Sequence, residues 1–192
     1  MRTSFAASLA ALTMSSLLVT GSAQAGLVNG GFEEASSVTT YSFLLPANVP
    51  GWKTTDSVIE LWHSGFGGVS AYQGEQFAEI DAHILGTLYQ DVSGVAAGSI
   101  FAFQFAHRGR SGTDTMRFTI TDLGIDNALG GSNDTILYSG TYSDGNQAWG
   151  FYTGESVGSL GHTVRFSGEG LSSVGGNSYG NFLDAADFSV LA

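Results

Sequence analysis

The sequence predicts an all-β protein, a two-sheet antiparallel sandwich of jelly-roll type, and three observations support this prediction. The composition combines 28 glycines with 13 phenylalanines, 7 tyrosines and 3 tryptophans, which favours short strands joined by tight turns. No long helical period is visible after residue 25. Several segments alternate between apolar and polar residues, which is the pattern of a half-buried strand.

Nine segments are predicted to be strands. They are rich in β-branched and aromatic residues, and turn signals such as Asp144-Gly145 and Gly130-Gly131 separate several of them. The predicted strands are 58–62, 76–81, 87–92, 100–107, 115–121, 135–138, 148–152, 162–166 and 182–191. Neither a linker nor an internal repeat interrupts the series, so residues 26–192 are predicted to form a single β-sandwich domain.

Alternation is clearest in two of these strands. Each carries a row of large apolar side chains on one face, namely Met116, Phe118 and Ile120 in the first and Phe101, Phe103 and Phe105 in the second. Successive side chains of a strand point to opposite faces of its sheet. We therefore expect both rows to face the core between the two sheets.

The first 25 residues have the pattern of a secretory signal peptide. Arg2 supplies a charged start, residues 5–19 form an apolar run, and residues 23–25 are a small-residue cleavage site. The run is shorter than the roughly 20 residues that a membrane-spanning helix needs. We expect the mature chain to begin at Gly26, to have no membrane insertion, and to be secreted or to reside in the periplasm or extracellular space.

The charge balance restricts the partners of the protein. The chain has a net charge of −11, and cleavage after residue 25 removes one arginine and no acidic residue, which makes it −12. Nucleic acid and anionic membranes are poor partners for such a surface. The chain contains no cysteine, so an exported protein of this sequence must rely on its core and its hydrogen-bonded sheets. A bound cation is a candidate for additional stabilisation, and the acidic balance makes calcium the natural choice.

Six motifs along the chain resemble those of exported galactose-binding-like jelly-roll proteins, found among bacterial exosortase-sorted proteins and plant cell-wall proteins. The motifs lie at 29–33 (Asn-Gly-Gly-Phe-Glu), 50–52 (Pro-Gly-Trp), 74–79, 88–92, 105–110 and 180–184. The resemblance covers nearly all of the chain after residue 25. It implies carbohydrate binding and a structural calcium near the contact of the first and last strands.

The last predicted strand supports the cation hypothesis independently. Asp184 falls in the alternating row that also contains Phe182, Ala186, Phe188 and Val190. A carboxylate on a core-facing row must be paired, hydrogen-bonded or bound to metal. Two further hard oxygen ligands, Glu33 and Glu34, lie where a sandwich would bring the first strand beside the last. The alternative is that Asp184 starts the strand, half exposed, and caps a turn.

A basic corner begins within the fifth motif. Three of the chain's arginines, Arg108, Arg110 and Arg117, lie with His107 in the eleven positions 107–117. Arginine pairs bidentately with carboxylates. This corner is therefore predicted either to hold an acidic sugar or to form internal salt bridges, for which the candidate partners are Glu60, Glu79 and Asp81.

Aromatic residues in predicted loops and strands suggest a platform for sugar rings. The candidates are Trp52, Trp62, Phe66, Tyr72 and Tyr89, and the polar residues near them in sequence are Glu60, His63, Gln73 and Gln76. Aromatic rings accept the apolar face of a sugar while polar side chains bond its hydroxyl groups. The alternative is core packing, which we expect for Trp52. Tyr72 is expected to be exposed.

These patterns favour a non-catalytic carbohydrate-binding module that acts at the cell surface or in an extracellular matrix. The predicted ligand-binding residues are Glu60, Trp62, Tyr72, Gln73, His107, Arg108 and Arg110. The sequence carries none of the common nucleophile, zinc or phosphate-loop motifs. Two alternatives stay open: a matrix or adhesion protein without sugar binding, and a small glycoside hydrolase built on Glu60, Glu79 and Asp81. The sequence does not define the oligomeric state.

Overall fold

The structure, a computed structural model, describes residues 26–191, so the predicted signal peptide lies outside the described residues. These residues form two antiparallel sheets. Their strands are β1 Tyr41–Leu44, β2 Lys53–Thr54, β3 Ile59–His63, β4 Gln76–Glu79, β5 Thr87–Val92, β6 Phe101–Arg108, β7 Asp114–Asp122, β8 Thr135–Asp144, β9 Gly150–Glu155, β10 Val164–Ser172 and β11 Phe182–Val190. Within the same residues, no helix has the length and apolar character to cross a bilayer.

The strand order is that of two packed sheets joined by crossovers. The six-stranded sheet has the order β1-β3-β4-β11-β6-β9, and the five-stranded sheet has the order β2-β5-β10-β7-β8. The predicted fold class is therefore confirmed, and each of the nine predicted strands overlaps an observed one. The two strands that the sequence did not reveal, β1 and β2, are short and lie at the edges of the sheets.

The core lies between the sheets, as the alternating rows predict. Phe103 and Phe105 of β6 each pack against Phe118 of β7, with ring centroids 4.8 Å apart. Trp52 is also a core residue: it stacks on Phe32, and its indole N–H donates a 2.8 Å hydrogen bond to the backbone oxygen of Asn29. Full burial of each such ring stabilises the fold by about 2 to 3 kcal/mol.

The predicted face of Asp184 is wrong, because β11 contains a β-bulge. Asp184 pairs with Ala106 but Asp187 pairs with Gln104, so one extra residue is inserted between them. Ala185, with φ of 47°, lies at this insertion. Leu183 consequently packs in the core before the bulge and Phe188 after it, while Asp184 shares the outer face with Phe182. Alternation read from the sequence cannot detect an inserted residue.

The segment before β1 fixes this bulge. The backbone oxygen of Gly30 accepts a 3.0 Å hydrogen bond from the N–H of Ala186. A Cβ atom added to Gly30 would lie 1.6 Å from the backbone oxygen of Ala186. Only glycine permits this approach, which joins the start of the domain to its last strand.

Candidate functional site

The outer face of the six-stranded sheet carries a cleft that is lined by aromatic and charged side chains. Ile59 and Leu61 of β3 point into the core, so Glu60 and Trp62 point outward. The cleft has a volume of about 400 Å³. We call it the Trp62 cleft, and its principal residues are Tyr41, Phe43, Glu60, Trp62, Arg110 and Tyr179.

Two aromatic rings of the edge strand β1 form the open side of the Trp62 cleft. Tyr41 is 47% exposed and Phe43 is 44% exposed, whereas Trp62 is only 4% exposed. Strand pairing places Tyr41 beside Trp62 and Phe43 beside Glu60. Sequence reasoning missed both rings, although the alternation of Tyr41 and Phe43 with Ser42 and Leu44 was a signal for an edge strand.

Arg110 connects the cleft to the interior. Its guanidinium carbon lies 3.4 Å from the ring centroid of Tyr179 and 4.6 Å from that of Trp62, so the cation is held between two aromatic faces. Its Nη1 atom donates to both carboxylate oxygens of Glu79, at 2.9 and 3.1 Å. For Arg110, the structure thus confirms the internal salt bridge that the sequence left as one of two alternatives.

Two acidic side chains meet beneath the cleft. Glu60 and Glu79 are partners across β3 and β4, so their side chains lie next to each other on one face of the sheet. Burial raises the pKa of Glu79 to about 9, an effect that the neighbouring Glu60 carboxylate increases and that Arg110 opposes. Burial also raises the pKa of Glu60, against a 3.0 Å hydrogen bond from the indole N–H of Trp62. Protonation of Glu79 is therefore favoured at neutral pH.

His107 and Arg108 lie apart from the Trp62 cleft. His107 is fully buried, with Nδ1 2.7 Å from Oδ2 of Asp144 and Nε2 2.9 Å from Oδ1 of Asn181. The guanidinium of Arg108 donates to the backbone oxygen of Asn146. Of the predicted ligand-binding residues, the structure brings together Glu60, Trp62 and Arg110, and we leave His107 and Arg108 out of the proposed site.

Tyr72 and Gln73 lie on the other half of the same face. The ring of Tyr72 stacks on that of Phe151, with centroids 5.1 Å apart and planes inclined by 5°. The backbone N–H of Gln73 donates to Asp184. A buried aromatic cluster separates these residues from the Trp62 cleft, and its central members are Phe77 and Phe182. The sequence could not show this separation, because Tyr72 and Gln73 lie close to Trp62 along the chain.

The residues predicted to hold a cation are only partly together. Asp184 is fully buried, and its carboxylate accepts backbone hydrogen bonds from Gln73 at 2.9 Å and Ala185 at 2.6 Å. Burial raises its pKa to about 7, and the charge of nearby Glu33 adds to this effect. Glu33 and Glu34, in contrast, are both exposed. Between residues 26 and 191, no three His, Cys, Asp or Glu side chains form a group that could hold a metal.

Comparison with known proteins defines the class of the fold. No protein-family model and no curated protein matches the sequence. The CBM22-1 xylan-binding domain of Paenibacillus barcinonensis Xyn10C superposes with a TM-score of 0.53 at 15% identity, covering 88% of this chain and 97% of that one. The C-terminal family 22 carbohydrate-binding module of Clostridium thermocellum Xyn10B gives 0.52 at 14%, covering 82% and 96%.

A tandem of two such modules from Paenibacillus barcinonensis Xyn10C gives a TM-score of 0.55 at 14% identity. The match covers 90% of this chain and 46% of the tandem, and the second share is close to the length of one module. The chain therefore has the galactose-binding-like jelly-roll fold of carbohydrate-binding modules. At these identities the likeness defines the architecture, and the chemistry of the cleft must be argued from its own residues.

Proposed function

We propose that the protein is an exported, non-catalytic carbohydrate-binding module that binds a neutral glycan in the Trp62 cleft. The observation that carries this proposal is the pair of half-exposed rings, Tyr41 and Phe43, beside buried hydrogen-bonding groups in one cleft of about 400 Å³. Export is proposed from the charged, apolar and small-residue pattern of residues 1–25. The shared fold with carbohydrate-binding modules supports the same function.

Binding in this cleft would use a rigid surface. The rings of Tyr41 and Phe43 would take the apolar face of a sugar, while the carboxyl group of Glu60 and the guanidinium of Arg110 would bond its hydroxyl groups. Arg110 is already paired with Glu79, so a sugar carboxylate would meet a cation whose charge is compensated. This arrangement favours a neutral glycan over an acidic one.

The geometry of the carboxyl groups disfavours the hydrolase alternative. Glycoside hydrolases place two carboxyl groups about 5 to 9.5 Å apart, on either side of the bond to be cleaved. Glu79 is instead fully buried and paired with Arg110. The third candidate, Asp81, is fully buried and accepts a 2.7 Å hydrogen bond from the amide of Asn181. Neither carboxyl group is accessible to a sugar, so neither can act with Glu60 on a glycosidic bond.

The decisive experiment is isothermal titration of the folded protein with neutral oligosaccharides derived from xylan, glucan and galactan. We expect saturable binding of at least one, and we expect Tyr41→Ala and Phe43→Ala each to weaken it about tenfold, or about 1.4 kcal/mol. Ile125→Ala, which truncates an exposed side chain in another loop, is the matched control. No saturable binding would transfer support to the matrix or adhesion alternative, and saturable binding that survives both substitutions would overturn the Trp62 cleft as the binding site.

We also propose a structural calcium at the contact between the start of the domain and β11, with Glu33 and Asp184 as its carboxylate ligands. Their oxygens are of the type that calcium prefers, and backbone carbonyl oxygens of the surrounding loops would complete the shell. A bound cation supplies the positive charge that a fully buried Asp184 carboxylate otherwise lacks. Glu33 and Glu34 are both exposed, and Glu33 is the better suited because it accepts hydrogen bonds from the same segment that contacts Asp184.

A further inference from the structure

A second groove crosses the outer face of the six-stranded sheet, over β11, β6 and β9. Its volume is about 320 Å³. We call it the Glu155 groove, and its polar side chains are Gln104, Thr153, Glu155, Asp187 and Ser189. The buried cluster around Phe182 separates it from the Trp62 cleft.

Strand register arranges these polar side chains in two parallel rows. Asp187, Gln104 and Thr153 are partners across β11, β6 and β9. Ser189, Ala102 and Glu155 form the next row. Adjacent strands lie about 4.8 Å apart and the two rows about 6.8 Å apart, so acceptors and donors form a regular array along the groove.

The groove carries negative charge that no cation of the protein compensates. Within residues 26–191, neither Glu155 nor Asp187 takes part in an ion pair. Every lysine and arginine there has another partner: Lys53 and Arg165 bind Asp91, Arg110 binds Glu79, Arg117 binds Glu169 and Arg108 binds Asn146. Glu155 and Asp187 are both exposed, so their charge is accessible to a cationic ligand.

An aromatic platform stands at one end of the Glu155 groove. Phe151 precedes Thr153 by two residues on β9 and thus shares its face. It is 43% exposed and stacks with Tyr72, which is 44% exposed. Sugar rings bind such flat apolar surfaces. The platform and the acidic groove together describe a site for a sugar that also carries positive charge.

We propose that the Glu155 groove is a second glycan-binding site, specific for a sugar chain with protonated amino groups. One sugar ring stacks on the platform formed by Phe151 and Tyr72. Ammonium groups on the following units pair with Glu155 and Asp187, and hydroxyl groups bond to Gln104 and Thr153. This site is distinct from the Trp62 cleft and takes a ligand of different charge.

The test compares glucosamine oligosaccharides with their fully N-acetylated counterparts of equal length, by isothermal titration at a mildly acidic pH. We expect the amine form to bind and the acetylated form to bind much more weakly. The double variant Glu155→Gln/Asp187→Asn should weaken binding of the amine form about fivefold or more, and Phe151→Ala should weaken it further. Circular dichroism would verify that each variant is folded.

Controls separate this proposal from general charge attraction and from the proposed function. Glu75→Gln/Asp126→Asn removes the same charge elsewhere on the surface, and an equal loss in that variant would overturn the proposal. Equal affinity for amine and acetylated forms, or tighter binding of oligolysine at the same residues, would also overturn it. Neutral-glycan binding in the Trp62 cleft should be unchanged by Glu155→Gln/Asp187→Asn, so the two sites can fail independently.

Discussion

At the scale of single residues, burial has changed the chemistry of several carboxyl groups. Glu79 and Asp81 are both fully buried, and burial raises their pKa values to about 9 and about 7. The positive charge of Arg110 limits the rise in the pKa of Glu79, and hydrogen bonds from Asn181 and Gly86 limit the rise in the pKa of Asp81. The folded protein therefore holds protons on these groups at pH values where an unfolded chain has lost them.

This difference predicts a stability that falls as the pH rises. A carboxyl group with a raised pKa binds its proton more tightly in the folded state, so the free energy of unfolding decreases between its unfolded and folded pKa values. For Glu79 that window runs from 4.5 to about 9. The slope per proton is at most about 1.4 kcal/mol per pH unit. Thermal unfolding midpoints measured across this range should decline toward the alkaline end.

The variant Glu79→Gln should flatten that decline, because glutamine stays neutral at every pH. Glu169→Gln, which alters an exposed ion pair with Arg117, is the control and should keep the wild-type slope. A wild-type stability that stays constant or rises from acid to alkaline pH would contradict the prediction.

At the scale of elements, the bulge in β11 determines which side chains reach which face. It sends Leu183 and Phe188 to the core and leaves Asp184 and Phe182 on the outer face. The same irregularity lets the segment around Gly30 approach β11 closely. One inserted residue thus positions both the proposed cation site and the cluster that separates the two grooves.

Substitution of Gly30 tests this arrangement. In Gly30→Ala the new methyl group would overlap the backbone oxygen of Ala186, so the first segment must move away from β11. We expect the free energy of unfolding to fall by about 3 kcal/mol, measured by chemical denaturation. Gly145→Ala is the matched control, since a Cβ atom there meets open space. Equal stability of the two variants would show that the close approach is unimportant.

At the scale of the whole molecule, the start and the end of the domain are held together. Glu33 accepts 2.8 Å hydrogen bonds from the backbone N–H groups of Glu75 and Gln76, and Asp184 accepts one from Gln73. The loop that contains residues 73–76 thereby links the first segment to β11. A calcium ion bound between Glu33 and Asp184 would strengthen this link across the full length of the chain.

We therefore predict that calcium raises the thermal unfolding midpoint and that a chelator lowers it. A calcium concentration about one hundred times the dissociation constant would add about 2.7 kcal/mol of stability. Asp184→Asn should abolish the calcium response, whereas Asp126→Asn, in a distant loop, should retain it. Identical midpoints with calcium and with chelator, in folded wild-type protein, would contradict the calcium proposal.

The sequence by itself determined the sandwich class, nine of the strands and the core rows, because successive side chains of a strand point to opposite faces and apolar residues therefore alternate with polar ones. It also identified Glu60, Trp62 and Arg110 as site candidates. Only the tertiary structure decided which of these meet. Strand order places Tyr41 beside Trp62, and the β11 bulge turns Asp184 outward. Such neighbours are far apart in sequence, and their contact depends on sheet register, which local patterns do not encode.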